Sequence, residues 1–204
     1  GMAKVPVSLL REATRLGARI FRSGVEFSHQ QLDNGWNWRG PERGRYGLPL
    51  PALRGRFQLD NAAAVLMVIE LLQESLPLSQ QAIREGLEGV RLPGRFQLIP
   101  GDVSLILDVA HNPQAIQSLA ETLRLHQTQG KTHAVYAALK DKDILGALPF
   151  LADQIASWHL PQLQGDRALS LDERGSMVTE ATGSKAVRTY ASVAEAFAGA
   201  HREA

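Results

Sequence analysis

The chain has 204 residues, 44% of them hydrophobic and 21% charged, which is enough to bury an ordinary core in one domain or two small ones. Its 22 Lys and Arg residues nearly balance 21 Asp and Glu residues, so the net charge of +1 gives no electrostatic reason to expect nucleic acid or a membrane surface as a partner. The lack of cysteine excludes disulfides and thiolate metal sites and favours a reducing, cytoplasmic location, and no apolar stretch approaches the roughly 20 residues that cross a bilayer.

The first 57 residues predict short antiparallel strands and loops. Gly1 ahead of Met2 is typical of the residue left when an expression tag is cleaved, so Gly1 is not expected to belong to the fold. Segments such as ARIFRSGVEFS and GWNWRG then lie between Gly, Pro and Asn residues, with few amphipathic periods. This composition favours irregular, strand-rich structure over long helices.

Two helices are predicted next. From Ala62 to Leu72 the chain is apolar almost all round, which indicates a helix packed inside a larger body, with Asp60 or Asn61 as its N-cap. The segment LSQQAIREGLEGV predicts a second helix, with Ser79 as its N-cap. The sequence RLPGRF then breaks the helical pattern. We therefore place a domain boundary there, with one domain over residues 1–91 and another over residues 92–204.

The second domain has the alternating pattern of an α/β fold. Strands are predicted at VSLILDVA, THAVYAAL, SWHL and AVRTY, with helices at NPQAIQSLAETLRL, at DKDILGALPFLADQIA and around residues 171–181. Asn112 is expected to cap the first of these helices, and Ser192 with Glu195 forms the capping box of a last one. Strands that alternate with helices predict a mostly parallel sheet covered by helices on both faces.

Three polar residues follow the first strand of this domain. Asp108 ends LILDVA, and His111 and Asn112 lie in the turn before the next helix, where open α/β sheets collect ligands. The alternative is structural: Asn112 caps, His111 is exposed and Asp108 accepts loop amides. Arg95 in LPGRF could project from the domain boundary and pair with phosphate, although a linker arginine is usually a solvated side chain.

Three other patterns are weaker indications of function. QGKT at residues 129–132 resembles the end of a P-loop, but Leu125 occupies the first glycine position, so a polar turn is predicted. The acids of LKDKD, residues 139–143, suit the start of a helix through its dipole. The six histidines lack H-x-x-x-H or carboxylate spacing, so no metal site made wholly by this chain is predicted.

Four segments in order, LPLPALRGRFQLDNAAAVL, LPGRFQ, LILDVAHNP and LKDKD, resemble the second half of the folylpolyglutamate synthase/dihydrofolate synthase family of the Mur ligase superfamily. The resemblance covers nearly the whole chain. It implies that residues 1–91 are the end of a mixed α/β central ATPase domain, and that residues 92–204 are a Rossmann-like C-terminal ligase domain. It also implies that Asn61, Arg95 and Asp108 contact ATP, and that His111 lies where the C-terminal domain closes over the reacting groups as a catalytic residue.

The resemblance implies ATP-dependent amide formation, in which a carboxylate of dihydropteroate or folate is phosphorylated and then attacked by the amino group of glutamate. ATP, Mg²⁺, glutamate and the pteridine substrate are the implied partners, and the whole protein is expected to be a monomer. The family's P-loop, magnesium ligands and modified lysine do not occur in this sequence, and neither do its last strand and helix. We therefore expect a fragment cut at both ends and inactive alone.

Two alternatives remain at the level of sequence. The chain could be a non-catalytic nucleotide-binding or regulatory α/β module, in which the ligase motifs survive only as structure. It could also belong to another Mur-type ligase that adds an amino acid to a cell-wall precursor. An upstream glycine-rich P-loop would favour a ligase over the module, while the residues that bind the pteridine would decide between the two ligases.

Overall fold

The computed structural model describes residues 5–126 and 130–204. The chain divides into two compact units, Gly1–Leu92 and Pro93–Ala204, one residue from the boundary proposed above. Gly1 and Met2, and Gln129 of the QGKT segment, lie outside the described residues. Within the described ranges, no helix has the length and apolar character that a membrane span requires.

The first unit combines a small antiparallel sheet with helices. Its elements are α1 (Val7–Leu16), β1 (Ser28–Leu32), β2 (Gly35–Arg39), β3 (Gly44–Leu48), α2 (Phe57–Leu72) and α3 (Gln80–Gly89). The sheet has the order β1-β2-β3, and both pairings are antiparallel. The short antiparallel strands predicted from the sequence are therefore confirmed.

Two tryptophans of β2 form the centre of the first unit's core. Trp36 and Trp38 are buried, and they pack with apolar residues of α2 such as Ala63 and Leu66. The indole Nε1 of Trp38 donates to the carbonyl oxygen of Ala63 at 3.0 Å, so the ring is both packed and hydrogen-bonded. Because a buried indole N–H without a partner is costly, this bond fixes how the sheet lies on α2.

Two helix starts in the first unit differ from the sequence prediction. Helix α1 was not predicted, although Leu9, Ala13 and Leu16 recur at helical spacing, because the Gly, Pro and Asn residues that follow favoured strands and loops for residues 1–57 as a whole. Helix α2 begins at Phe57, so Asn61 lies inside the helix, and neither Asn61 nor Asp60 is its N-cap. That prediction was wrong because the apolar run begins later than the helical backbone does.

The second unit is built around a parallel sheet. Its elements are β4 (Gln97–Ile99), β5 (Leu105–Leu107), α4 (Pro113–Leu125), β6 (Thr132–Val135), α5 (Ile144–Ala147), a 3₁₀ turn (Leu148–Leu151), β7 (Ile155–Pro161), α6 (Leu171–Thr182), β8 (Val187–Tyr190) and α7 (Val193–Glu203). Strands β6, β7 and β8 form a parallel sheet in that order. Strands β4 and β5 form a separate antiparallel hairpin.

Alternate residues of β7 point to opposite faces of the parallel sheet. Trp158 and Leu160 are buried in one apolar cluster with Val178 of α6. Ser157 and His159 face the other way, and Ser157 hydrogen-bonds to Glu203 at the end of α7. Helices therefore cover both faces, and the predicted α/β, Rossmann-like class with a mostly parallel sheet is confirmed.

Local caps define most helix starts. Ser79, Asn112 and Ser192 each accept a backbone N–H three residues on, as predicted. The reciprocal half of the capping box predicted at Ser192 differs, because the Glu195 carboxylate accepts the N–H of Ala191 rather than that of Ser192. The helix predicted in DKDILGALPFLADQIA is shorter than expected: α5 ends at Ala147 and the next four residues form the 3₁₀ turn. Pro149 removes a backbone donor there and its ring excludes a continuous α-helix.

Tyr136, just after β6, is partly buried against Trp158, with ring centroids 5.9 Å apart and nearly perpendicular. Burial raises the pKa of its phenol to about 12, while the nearby positive charge of Arg174 acts in the opposite direction. Arg174 is itself fully buried and donates to the carbonyl oxygens of Pro161 and Leu169. These contacts tie α6 to the carboxyl end of β7.

Candidate functional site

The carboxyl end of β5 is hydrogen-bonded to the turn that opens the second unit. Asp108 Oδ2 accepts the backbone N–H of Phe96 at 2.8 Å, and Oδ1 accepts that of Ala110 at 2.7 Å. The N–H of Val109 donates to the carbonyl oxygen of Gly94 at 2.9 Å. The Asp108 carboxylate therefore fixes both its own loop and the turn that carries Arg95.

The backbone on either side of Arg95 is left-handed. Gly94 has φ 70°, and an added Cβ would lie 2.8 Å from Cγ1 of Val109, so a larger residue would both strain and crowd this position. Phe96 has φ 43° and is the non-glycine residue with positive φ in the described ranges. Its ring is buried, at 5% exposure, which together with the Asp108 bond holds this unfavourable conformation.

Arg95 is exposed, and over residues 5–126 and 130–204 the structure gives its guanidinium no hydrogen bond or ion pair. Arg91, four residues earlier, differs: its Nη1 donates to the carbonyl oxygens of Glu88 and Val90 at 3.1 and 3.0 Å. A guanidinium without a protein partner on a fixed turn can form a bidentate pair with phosphate. Arg95 rather than Arg91 therefore suits an anionic ligand.

His111 follows Asp108 in the same loop and is exposed. Its Nδ1 lies 2.9 Å from the carbonyl oxygen of Val109. A carbonyl only accepts, so Nδ1 donates this bond, and in its neutral form the ring presents the Nε2 lone pair. Asn112 caps α4 by accepting the N–H of Ala115 at 2.9 Å. The loop thus places a proton acceptor beside the N-terminus of α4.

The fourth predicted contact residue, Asn61, belongs to the first unit. It is exposed on α2 and donates from Nδ2 to Oε1 of Gln58 at 3.1 Å. The structure therefore joins the Arg95 turn, Asp108 and the His111 loop within one unit, and places Asn61 on the other. Contact of Asn61, Arg95 and Asp108 with ATP stays a prediction, as does the catalytic role of His111.

The acids of LKDKD have local partners. Asp143 caps α5 by accepting the N–H of Gly146 at 2.9 Å, as expected for an acid at a helix start. Asp141 pairs with Arg167 at 2.7 Å and with Lys142 at 3.1 Å. The hydrogen bond from Arg167, followed by that from Lys142, lowers the pKa of the Asp141 carboxyl to about 2.

One cluster was missed at the level of sequence. His133 of β6, His159 of β7 and Glu203 of α7 offer ligand atoms that all lie within 4.8 Å of one another. Burial lowers the pKa of the His159 imidazole, and Glu203 opposes that effect. The period of two in β7 could have placed Ser157 and His159 on one face, but the positions of His133 and Glu203 depend on strand register and helix packing.

Comparison with known families identifies the class of protein to which the chain belongs. The sequence model of the Mur ligase glutamate ligase domain matches residues 94–204, almost the whole of the second unit. The chain therefore belongs to the Mur ligase family. Within that family it is similar to dihydrofolate synthase/folylpolyglutamate synthases, as the resemblance of the four sequence segments predicted.

Among curated relatives, the Escherichia coli dihydrofolate synthase/folylpolyglutamate synthase is 32% identical over 173 residues, which is 85% of this chain and 40% of the relative. The Mycobacterium tuberculosis relative of the same name is 28% identical over 201 residues, 95% of this chain and 41% of the relative. The chain thus spans about 40% of the length of the curated relatives it matches.

Solved structures show the same likeness. E. coli FolC in complex with ADP aligns with a TM-score of 0.85 and 31% identity, covering 99% of this chain and 46% of that one. A Yersinia pestis folylpolyglutamate synthase/dihydrofolate synthase complexed with AMPPNP and Mn aligns with a TM-score of 0.83 and 39% identity, with the same coverage. Both units of this chain therefore have counterparts in enzymes solved with bound nucleotide.

Proposed function

We propose that this chain is part of an ATP-dependent ligase that joins glutamate to dihydropteroate or folate. The observation that carries the proposal is the likeness, over 99% of the chain, to E. coli FolC in complex with ADP. Residues 1–91 are proposed to be the C-terminal part of a central ATPase domain, and residues 92–204 a C-terminal ligase domain. The whole protein is proposed to be a cytoplasmic monomer that binds neither nucleic acid nor membrane.

Each candidate residue has a proposed role that follows from its surroundings. Arg95 has no partner among the described residues and lies on a fixed turn, so it is proposed to bind phosphate oxygens of ATP, and Asp108 is proposed to hold that turn in place. Asn61, exposed on α2, is proposed as a further contact with ATP. Both oxygens of Asp108 already accept an amide hydrogen, so we do not propose this residue as a ligand of the Mg²⁺ that accompanies ATP.

Bound ATP would supply the phosphoryl group that activates the substrate carboxylate, while the residues of this chain bind and orient. Arg95 stabilises negative charge on the phosphates. His111, with its Nδ1 proton held by the Val109 carbonyl, presents Nε2 as an acceptor for a proton lost from the amino group of glutamate. The carbonyl bond fixes the tautomer, so the ring does not need to reorient to accept the proton.

The test is a chimera in which this chain replaces the aligned part of the E. coli relative, with glutamate-dependent ADP release as the assay. We expect the chimera to be active, and Arg95→Ala to lower kcat/KM for ATP by about ten- to a hundredfold, since a charge-assisted hydrogen bond contributes about 1.5–3 kcal/mol. Arg91→Ala is the matched control, because Arg91 donates to the local carbonyls of Glu88 and Val90, and it should change the rate little.

Two results would contradict the proposal. A chimera that folds, by its circular dichroism spectrum, yet releases no ADP with glutamate would favour the non-catalytic module. Equal losses in Arg95→Ala and Arg91→Ala would assign Arg95 to structure. Arg95→Lys separates charge from geometry: a loss close to that of Arg95→Ala indicates a bidentate contact, which a lysine does not reproduce.

A further inference from the structure

The three-residue cluster of His133, His159 and Glu203 lies between the parallel sheet and the end of α7. Nδ1 of His133 is 3.8 Å from Oε2 of Glu203, and Nε2 of His159 is 3.7 Å from the same oxygen. His159 is fully buried, the side chain of His133 is 6% exposed and that of Glu203 is 30% exposed. Two imidazoles are therefore held on neighbouring strands, and the carboxylate leaves a path to solvent.

A serine hydroxyl lies among these three atoms. Ser157 Oγ is 2.7 Å from Nδ1 of His133, 2.9 Å from Nε2 of His159 and 3.1 Å from Oε2 of Glu203. A hydroxyl has one proton and two lone pairs, so it accepts from both imidazole N–H groups and donates to the carboxylate. The hydroxyl thus marks a point on which two nitrogens and one carboxylate oxygen converge.

The second polar atom of the His159 and Glu203 side chains also has a partner. Nδ1 of His159 is 2.8 Å from the hydroxyl of Tyr190, and Oε1 of Glu203 is 3.0 Å from Nε of Arg188. In protein metal sites, ligating imidazoles and carboxylates usually make such outer hydrogen bonds, which fix the tautomer and the orientation. If Nε2 of His159 gave its lone pair to a cation, the proton on Nδ1 would have the Tyr190 oxygen as acceptor.

We propose that His133 Nδ1, His159 Nε2 and Glu203 Oε2 form a binding site for one divalent transition-metal ion of the class that prefers imidazole and carboxylate ligands, such as Zn²⁺. Three protein ligands of these types leave a fourth position for water or, after rotation, for the Ser157 hydroxyl. The ion would fasten the end of α7 to β6 and β7. This inference does not rest on the proposed ligase function.

Two features limit the strength of binding. Arg188 places a positive charge beside the carboxylate, and a like charge opposes a cation. Nε2 of His133 is buried and has no partner in the part of the chain that the structure describes, so a proton moved there on metal binding gains no acceptor among those residues. Binding should therefore tighten when the Arg188 charge is removed and weaken when the Glu203 charge is removed.

The experiment is calorimetric titration of the full 204-residue chain with Zn²⁺ alone, in a buffer that does not bind zinc. We expect one equivalent of zinc to bind to the wild type. Glu203→Gln should weaken zinc binding by more than about tenfold, as for loss of a metal-site residue. Arg188→Gln should tighten zinc binding severalfold. His201→Gln is the matched control, because His201 is an exposed histidine on the same helix and should leave binding unchanged.

Thermal unfolding provides the second measurement, since an ion that binds only the folded chain raises the midpoint. Zinc should raise it for the wild type and for His201→Gln, but not for Glu203→Gln. His133→Gln should also abolish the shift, and if that variant does not fold, Glu203→Gln alone decides. No zinc binding by the wild type, or equal binding by wild type and Glu203→Gln, would overturn the proposal.

Discussion

Replacing Asp108 tests how the turn that carries Arg95 is fixed. Asp108→Ala removes the acceptor of the Phe96 and Ala110 amides, which bind its oxygens at 2.8 and 2.7 Å. A hydrogen bond to a charged group contributes about 1.5–3 kcal/mol, and since Asp108 is only half-buried we take the lower value for each bond. The second unit should therefore lose about 3 kcal/mol of unfolding free energy.

Asp108→Asn keeps one acceptor oxygen and should lose roughly half as much. Urea unfolding followed by circular dichroism measures the free energies, and amide hydrogen exchange by NMR reports directly on Phe96 and Ala110, whose protection should fall in Asp108→Ala. Asp102→Ala, at an exposed acid between β4 and β5, is the control and should stay within about 0.5 kcal/mol of the wild type. Unchanged exchange at both amides would refute the assigned role of the carboxylate.

Two further predictions concern the second unit. Burial raises the pKa of Tyr136 in the folded chain to about 12, above the roughly 10 of an ordinary tyrosine. Its contribution to stability is therefore present below the unfolded pKa and is lost as pH rises through the folded one. Tyr136→Phe should lose less stability than the wild type across that window, and a tyrosinate absorbance titration should lose a step near pH 12. Gly199→Ala would place a Cβ 2.7 Å from Cζ of Tyr190, so it should lower the free energy of unfolding, measured with heat or urea, by about 1–3 kcal/mol. Gly175→Ala is the control, because its Cβ would meet open space, and it should be neutral or stabilising. Equal effects of the two alanines would contradict the crowding at Gly199.

Features that depend on neighbouring residues were predictable from the sequence. Ser79, Asn112 and Ser192 cap helices because each side chain reaches an amide three residues away, whatever the rest of the fold does. The alternation of strands and helices can likewise be read from short stretches of sequence, so it predicted the α/β class. The resemblance of whole segments to the family implied that LPGRF and Asp108 act together. Acceptance of loop amides by Asp108 was the structural alternative.

Features that depend on distant residues were not predictable in this way. Strand β5 lies in the segment VSLILDVA, which was predicted as a strand, but its antiparallel pairing with β4 was not predicted. Strand β4 has three residues, too short for a clear period. His133 and Ser157 meet because they are register partners in the parallel β6–β7 pairing, and a period of two within one strand does not specify that register.

The distribution of tryptophans makes the two units optically separable. Of the three tryptophans, Trp36 and Trp38 lie in the core of the first unit and Trp158 in that of the second, and all three are buried. Intrinsic fluorescence of a Trp158→Phe chain would therefore report on the first unit alone, and that of a chain lacking the other two indoles on the second. Comparing such chains before and after ATP is added would show whether either unit responds to the nucleotide.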